Sequence, residues 1–140
     1  MSKRSDDYTK QINDLVEVFQ SATDGTEWAI LVEAKVMRDE DEHNVKVPTL
    51  TLQKGPTRLY LDPTGYDIPG AEGVADLYLM PSGEPMASLY RDAEGWRIHS
   101  PFPSEIMTMA KPKEWGRANA DDKSIRIVLE AIAKNVASKI

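Results

Sequence analysis

Three runs of alternating apolar residues decide the fold of this chain: Asp76-Leu-Tyr-Leu-Met-Pro81, Met86-Ala-Ser-Leu-Tyr-Arg91 and Trp96-Arg-Ile-His-Ser-Pro101. Alternation with a period of two is typical of a strand that buries one face. The runs are separated by Ser82-Gly-Glu-Pro85 and Asp92-Ala-Glu-Gly95, whose residue types favour tight turns. Because such short turns connect antiparallel neighbours, the sequence predicts a three-stranded meander.

The two faces of this meander differ in composition. Strand alternation predicts a core face that holds Leu77, Leu79, Ala87, Leu89, Trp96 and Ile98. Tyr, Met and Arg, which are enriched where proteins meet partners, lie on the other face. Its candidate partner-binding residues are Tyr78, Met80, Tyr90, Arg97 and His99, and Met86 and Ser88 are predicted beside them. A covering helix, or an ordinary half-exposed sheet face, is the alternative interpretation.

An amphipathic helix is predicted at each end of the chain. In residues 6–20 the apolar residues recur at helical spacing, with Asp6 or Asp7 as the cap. In residues 121–139 they do so again, with Asn119 or Asp121 as the cap.

Two long strands are predicted between the first helix and the meander. Glu27–Arg38 carries apolar residues on both sides, which favours a central position with both faces partly covered. The alternation of Val45–Lys54 breaks at Pro48, which cannot donate to a ladder, so an edge strand with a bulge is expected there.

The remaining segments are less regular. A short strand is predicted over Arg58–Asp62, and a surface loop rich in Pro and Gly follows up to Gly73. After the meander, a short helix is predicted over residues 104–110 and a linker over residues 111–117, held by its Trp115 side chain.

These elements predict one α+β domain over residues 1–140, with residues 1–5 disordered. Its single antiparallel sheet of about six strands is flanked by the N-terminal and C-terminal helices in a two-layer sandwich. The order of elements resembles the frataxin-type arrangement, which an acidic first helix and strand would fit. Acidic secretion chaperones are similar in size and charge, but they would need a helix where this chain has its Pro/Gly loop. We assign no family on this basis.

Composition excludes several classes of protein. The chain has 140 residues, enough for a core, and no cysteine, which excludes disulfides, thiolate catalysis and cysteine-based metal sites. No secretory signal and no membrane-spanning run is predicted, so we expect a cytoplasmic protein.

The net charge of −6 is confined to the first part of the chain. Residues 1–42 contain 5 Lys/Arg and 11 Asp/Glu, whereas residues 43–140 contain 12 of each. Such a field repels nucleic acid and anionic lipid and attracts a basic protein partner. The acidic residues Asp39, Glu40, Asp41 and Glu42 are therefore included among the candidate partner-binding residues. The alternative is that this charge only keeps the protein soluble.

The sequence contains no established catalytic or cofactor motif. An EF-hand loop starting at Asp39 would need Gly at Asn44 and Glu at Leu50, so no metal site is predicted. The glycines form no phosphate-binding or dinucleotide motif, and Ser82 lacks the context of a nucleophile elbow. No catalytic residue and no cofactor is therefore predicted.

Two functional hypotheses follow. The first is a non-enzymatic binding protein, such as an adaptor, chaperone, inhibitor or immunity-type protein, with an acidic N-terminal surface and an aromatic sheet face. The second is a small enzyme or small-ligand binder with a pocket between His99 and the loop 63–75, in which Arg97 would hold an anion. A homodimer, formed through a strand edge or a sheet face, is compatible with both.

Overall fold

The computed structural model describes residues 3–66, 72–101 and 116–139. The elements, in chain order, are α1 (Lys3–Thr23), β1 (Ala29–Arg38), β2 (Asn44–Lys54), β3 (Thr57–Gly65), β4 (Gly73–Met80), β5 (Glu84–Asp92), β6 (Gly95–Ser100), β7 (Gly116–Asn119) and α2 (Asp122–Ser138). The strands form one antiparallel sheet in chain order. Both helices pack on one face of this sheet and share its apolar core. The predicted two-layer α+β arrangement is confirmed, with seven strands in place of about six.

Helix α1 buries the apolar stripe that the sequence predicts. Ile12 and Phe19 in this stripe are completely shielded from solvent. The helix begins at Lys3, before both predicted caps. The disorder expected for residues 1–5 is therefore not seen at Lys3–Ser5, where the Ser5 side chain is buried.

Helix α2 is capped at its start and bound to the sheet in its middle. The Asp121 side chain caps it, as predicted, and accepts a hydrogen bond from the Ser124 N–H at 2.8 Å. Glu130 accepts a hydrogen bond from Trp28 Nε1 at 2.9 Å and pairs with Lys54 Nζ at 2.6 Å. Helix α2 is thereby joined to the start of β1 and to the end of β2.

The meander of β4, β5 and β6 has the predicted core face. Leu77, Leu89 and Ile98 are buried, and Trp96 is half-buried against the same core. The indole Nε1 of Trp96 donates a hydrogen bond to the Gln11 carbonyl of α1 at 3.0 Å. This contact shows directly that the Trp96 face is the one that the helices cover.

Met86 is a correction to the predicted faces. It lies in the core and not on the partner-binding face, and it is only 5% exposed. The pairing of β4 with β5 shifts between Leu77 and Tyr78, so that Leu77 faces Ala87 while Tyr78 faces Pro85. This bulge leaves Met86 without a cross-strand partner, so the Met86 side chain departs from strict alternation and faces the core.

The predicted positions of the first two strands are wrong. β1 is an edge strand and not a central one, since β2 is the only described strand that pairs with it. β2 is interior, because it pairs with β1 from Asn44 to Gln53 and with β3 from Leu50 to Lys54. The pairing with β1 continues through Pro48 without a bulge, although the buried positions change parity between Thr49 and Leu50.

The predicted loop over residues 62–73 is shorter in the structure. β3 continues to Gly65 and β4 begins at Gly73, and Pro63 pairs with Ala75 inside the sheet. Residues 67–71, the predicted helix 104–110 and the linker residues 111–115 lie outside the described residues. The strand β7 at Gly116–Asn119 was not predicted.

Candidate partner-binding face

The sheet face opposite the helices is called the open face here. Strand register places Tyr78 and Met80 of β4, Tyr90 of β5, and Arg97 and His99 of β6 on this face. Neither described helix packs on it. The predicted partner-binding residues of the meander therefore share one surface.

An apolar groove lies on the open face between β1 and the end of β4. A cross-strand row leads into it, in which Leu31 faces Thr51, Thr51 faces Tyr60 and Tyr60 faces Tyr78. The groove has a volume of about 440 Å³ and is lined by Leu31, Glu33, Thr51, Arg58, Tyr60, Met80 and Pro81.

Of these lining residues, only Met80 was a predicted site residue. Sequence reasoning missed Tyr60, although alternation with the buried Leu59 and Leu61 already placed it on the opposite face.

Two carboxylates meet in the middle of the open face. Asp62 of β3 lies directly opposite Asp76 of β4, an arrangement that is unfavourable for like charges. Lys35 of β1 compensates by pairing with Asp62, and the Tyr78 hydroxyl donates a hydrogen bond to Asp76 at 3.4 Å. Burial raises the pKa of the Tyr78 phenol, and the charges of Asp76 and Asp62 raise it further.

Arg97 is occupied by the turn that precedes it. Its Nε donates a hydrogen bond to Asp92 at 3.1 Å and one terminal nitrogen donates to Glu94 at 2.7 Å. The pKa of Asp92 is lowered, first by the Glu94 backbone N–H and then by Arg97. A guanidinium held by two carboxylates is poorly placed to hold the anion that the enzyme hypothesis assigned to it.

A polar row crosses the sheet next to the tyrosines, in the order Asp62, Asp76, Ser88 and His99. Ser88 lies between Asp76 and His99. The Cα atoms of Asp76 and His99 are therefore two strand spacings apart, about 10 Å. A Ser-His-Asp triad needs the imidazole in the middle position. This row has the wrong order for that chemistry.

The predicted acidic residues form the turn between β1 and β2, and Asp39 differs from the others. Asp39 is buried, and its Oδ1 accepts hydrogen bonds from the N–H groups of Asp41 and His43 at 2.9 and 2.8 Å. Glu40, Asp41 and Glu42 are exposed. Asp39 therefore holds the turn together, while its neighbours present the charge.

The same turn brings three metal-ligand types together. Ligand atoms of Asp39, Asp41 and His43 lie within 4.8 Å of one another. Exposed acidic groups commonly lie this close without an ion, and one oxygen of Asp39 already binds the turn backbone. The cluster is explained by the turn itself.

The acidic turn and the apolar groove are separate surfaces. The turn contacts the end of β3, where the Tyr66 hydroxyl donates a hydrogen bond to Glu40. The groove lies at the other end, beside Arg58. From Arg58 to Gly65 the strand extends by about 20 Å. The acidic residues of α1 lie on the helix layer, so one partner would have to be large to touch all of these charges together with the groove.

Comparisons of the chain with known protein families, with characterised proteins and with solved structures find no match. Among the described residues, no helix is long and apolar enough to cross a membrane.

Proposed function

We propose that this chain is a non-enzymatic, cytoplasmic binding protein of the adaptor, chaperone, inhibitor or immunity type. Its partner contact is the open face, centred on the groove between Tyr60 and Met80. The observation that carries the proposal is this groove, which lies on a sheet face that neither described helix covers.

The groove offers the residue types that dominate protein interfaces. Aromatic and methionine side chains supply a large contact area, and the tyrosine hydroxyl and Arg58 supply polar contacts at the rim. The described lining residues include one carboxylate and one guanidinium but no histidine. This composition suits an apolar side chain of a partner better than it suits acid–base chemistry.

The acidic surface supports a basic partner. The exposed Glu40, Asp41 and Glu42 lie at the tip of the β1–β2 turn, in the part of the chain that carries the whole net charge. Exposed charges of this kind act chiefly on the rate of encounter, and salt screens them over about 10 Å. Apolar contacts in the groove depend much less on salt. The two surfaces can therefore be distinguished by experiment.

We expect Tyr60→Ala to weaken binding of a partner captured from native cytoplasm by at least about tenfold at both low and high salt, as for a buried aromatic anchor. Replacing Glu40, Asp41 and Glu42 with their amides should instead slow association at low salt and have little effect at high salt. Surface plasmon resonance on the purified pair separates the two rate constants.

The matched control is Lys134→Ala, at an exposed position of α2 on the helix layer. It should leave both rate constants unchanged. Unaltered binding by Tyr60→Ala would exclude the groove as the contact. A purified protein that carries a small molecule next to His99, and captures no protein, would favour the ligand-binding hypothesis instead.

A further inference from the structure

The edge strand β1 is unusual in length and composition. It has 10 residues, whereas β7 at the opposite edge has 4. Among the described residues, none pairs with the outer side of β1. Proteins commonly protect a sheet edge with short strands, prolines or bulges, because free N–H and C=O groups can pair with another chain.

Large aliphatic side chains are exposed along this edge. Leu31, Val32 and Val36 are 56%, 44% and 58% exposed. Among the described residues, these are the large apolar side chains that are exposed. A long edge that carries both unpaired backbone and exposed aliphatic side chains is suited to the addition of a further strand.

The charges on β1 are complementary to the same strand running in the opposite direction. A twofold axis perpendicular to the sheet pairs two antiparallel copies of β1 and places one residue opposite itself. An axis at Glu33 would oppose two carboxylates, and an axis at Lys35 would oppose two ammonium groups. Both arrangements are unfavourable.

An axis at Ala34 avoids both conflicts. Glu33 then faces Lys35 of the second copy, and the reverse pair forms by symmetry. Val32 faces Val36 of the second copy. The exposed aliphatic side chains thus meet apolar partners, since Leu31 faces Met37 in this register.

We propose that β1 is a homodimer interface, in which two copies of the chain pair antiparallel about Ala34 and continue the sheet from one molecule into the other. Lys35 can take part although it binds Asp62, because an ammonium group has three donors. Leu31 lines the groove, so Met37 of the second copy would extend the wall of the groove on that side. Leu31 and Glu33 belong to both surfaces, but dimerisation is measured on the purified chain alone and can therefore fail independently of the partner contact at Tyr60.

The test is the mass of the purified chain in a concentration series by analytical ultracentrifugation at physiological salt. The unmodified protein should approach twice the chain mass of 15.7 kDa. Glu33→Lys and Lys35→Glu should each weaken dimerisation at least tenfold, because each opposes like charges twice. An equimolar mixture of these two variants should recover the dimer. The two lysines of the Glu33→Lys copy then face the two glutamates of the Lys35→Glu copy.

Asp14→Lys, a charge reversal at an exposed position of α1, is the matched control and should dimerise like the unmodified chain. Circular dichroism checks that each variant is folded. A chain that stays monomeric throughout the series would overturn the proposal, as would a dimer that is indifferent to Glu33→Lys. Failure of the mixed variants to associate would overturn the pairing about Ala34.

Discussion

Replacing Trp96 with alanine is expected to lower the free energy of unfolding by about 3 kcal/mol, at the lower end of the range for large aromatic residues because Trp96 is only half-buried. The side chain packs on the core, and its indole N–H binds the Gln11 carbonyl of α1. The variant therefore removes a contact between the organising meander and the first helix. Chemical denaturation at neutral pH measures the loss.

Trp96→Phe is the matched control. It keeps most of the apolar contact and loses the hydrogen bond, so a smaller cost of about 1 kcal/mol is expected. If Trp96→Ala cost less than about 1 kcal/mol, Trp96 would not contribute to the core, and the assignment of the two sheet faces would be inverted.

Removing the Tyr8 hydroxyl with Tyr8→Phe should cost about 1–2 kcal/mol, because the Gly65 N–H loses this acceptor, whereas the Val74 carbonyl keeps a hydrogen bond from Thr64 Oγ1. This hydroxyl donates to the Val74 carbonyl at 2.7 Å and accepts from the Gly65 N–H at 3.2 Å. It thereby joins α1 to the adjoining ends of β3 and β4. An unchanged denaturation midpoint in Tyr8→Phe would show that this link contributes nothing to stability.

The same tyrosine predicts a loss of stability at alkaline pH. Burial raises the pKa of Tyr8 well above the ordinary tyrosine value of about 10. The stabilising effect of the protonated phenol is fully present below about pH 10 and is lost as the pH rises from there toward the pKa of the folded state. The free energy of unfolding should fall over this range in the unmodified chain and more gently in Tyr8→Phe. Equal slopes for the two proteins would contradict this assignment.

Local patterns predicted most of the fold because they depend on neighbouring residues alone. The stripe around Ile12 and Phe19 identifies α1, and the alternation around Leu89 and Ile98 identifies the core face of the meander. The order of strands depends on long-range pairing, and the positions predicted for β1 and β2 in the sheet were wrong. The apolar residues on both sides of β1 suggested a covered central strand, whereas Val32 and Val36 are exposed at the edge of the sheet.

The candidate site was predicted in part. Alternation placed Tyr78 and Met80 on the open face, but their neighbours in space come from distant strands. Leu31 and Tyr60 join them only because β1, β2 and β3 pair in a particular register. Arg97 was predicted as a partner-binding or anion-binding residue, but its guanidinium donates hydrogen bonds to Asp92 and Glu94. Strand alternation does not indicate these hydrogen bonds.

Photo-crosslinking in the native cytoplasm tests the central claim, that the groove of the open face binds a protein partner, most directly. A benzophenone amino acid replaces Tyr60 or Met80 in the groove, or Lys134 on α2 as the control, and adducts are identified by mass spectrometry. We predict that the two groove positions give an adduct with the same basic protein and that Lys134 does not. Adducts that are equally abundant from all three positions, or none from Tyr60 and Met80, would contradict the claim.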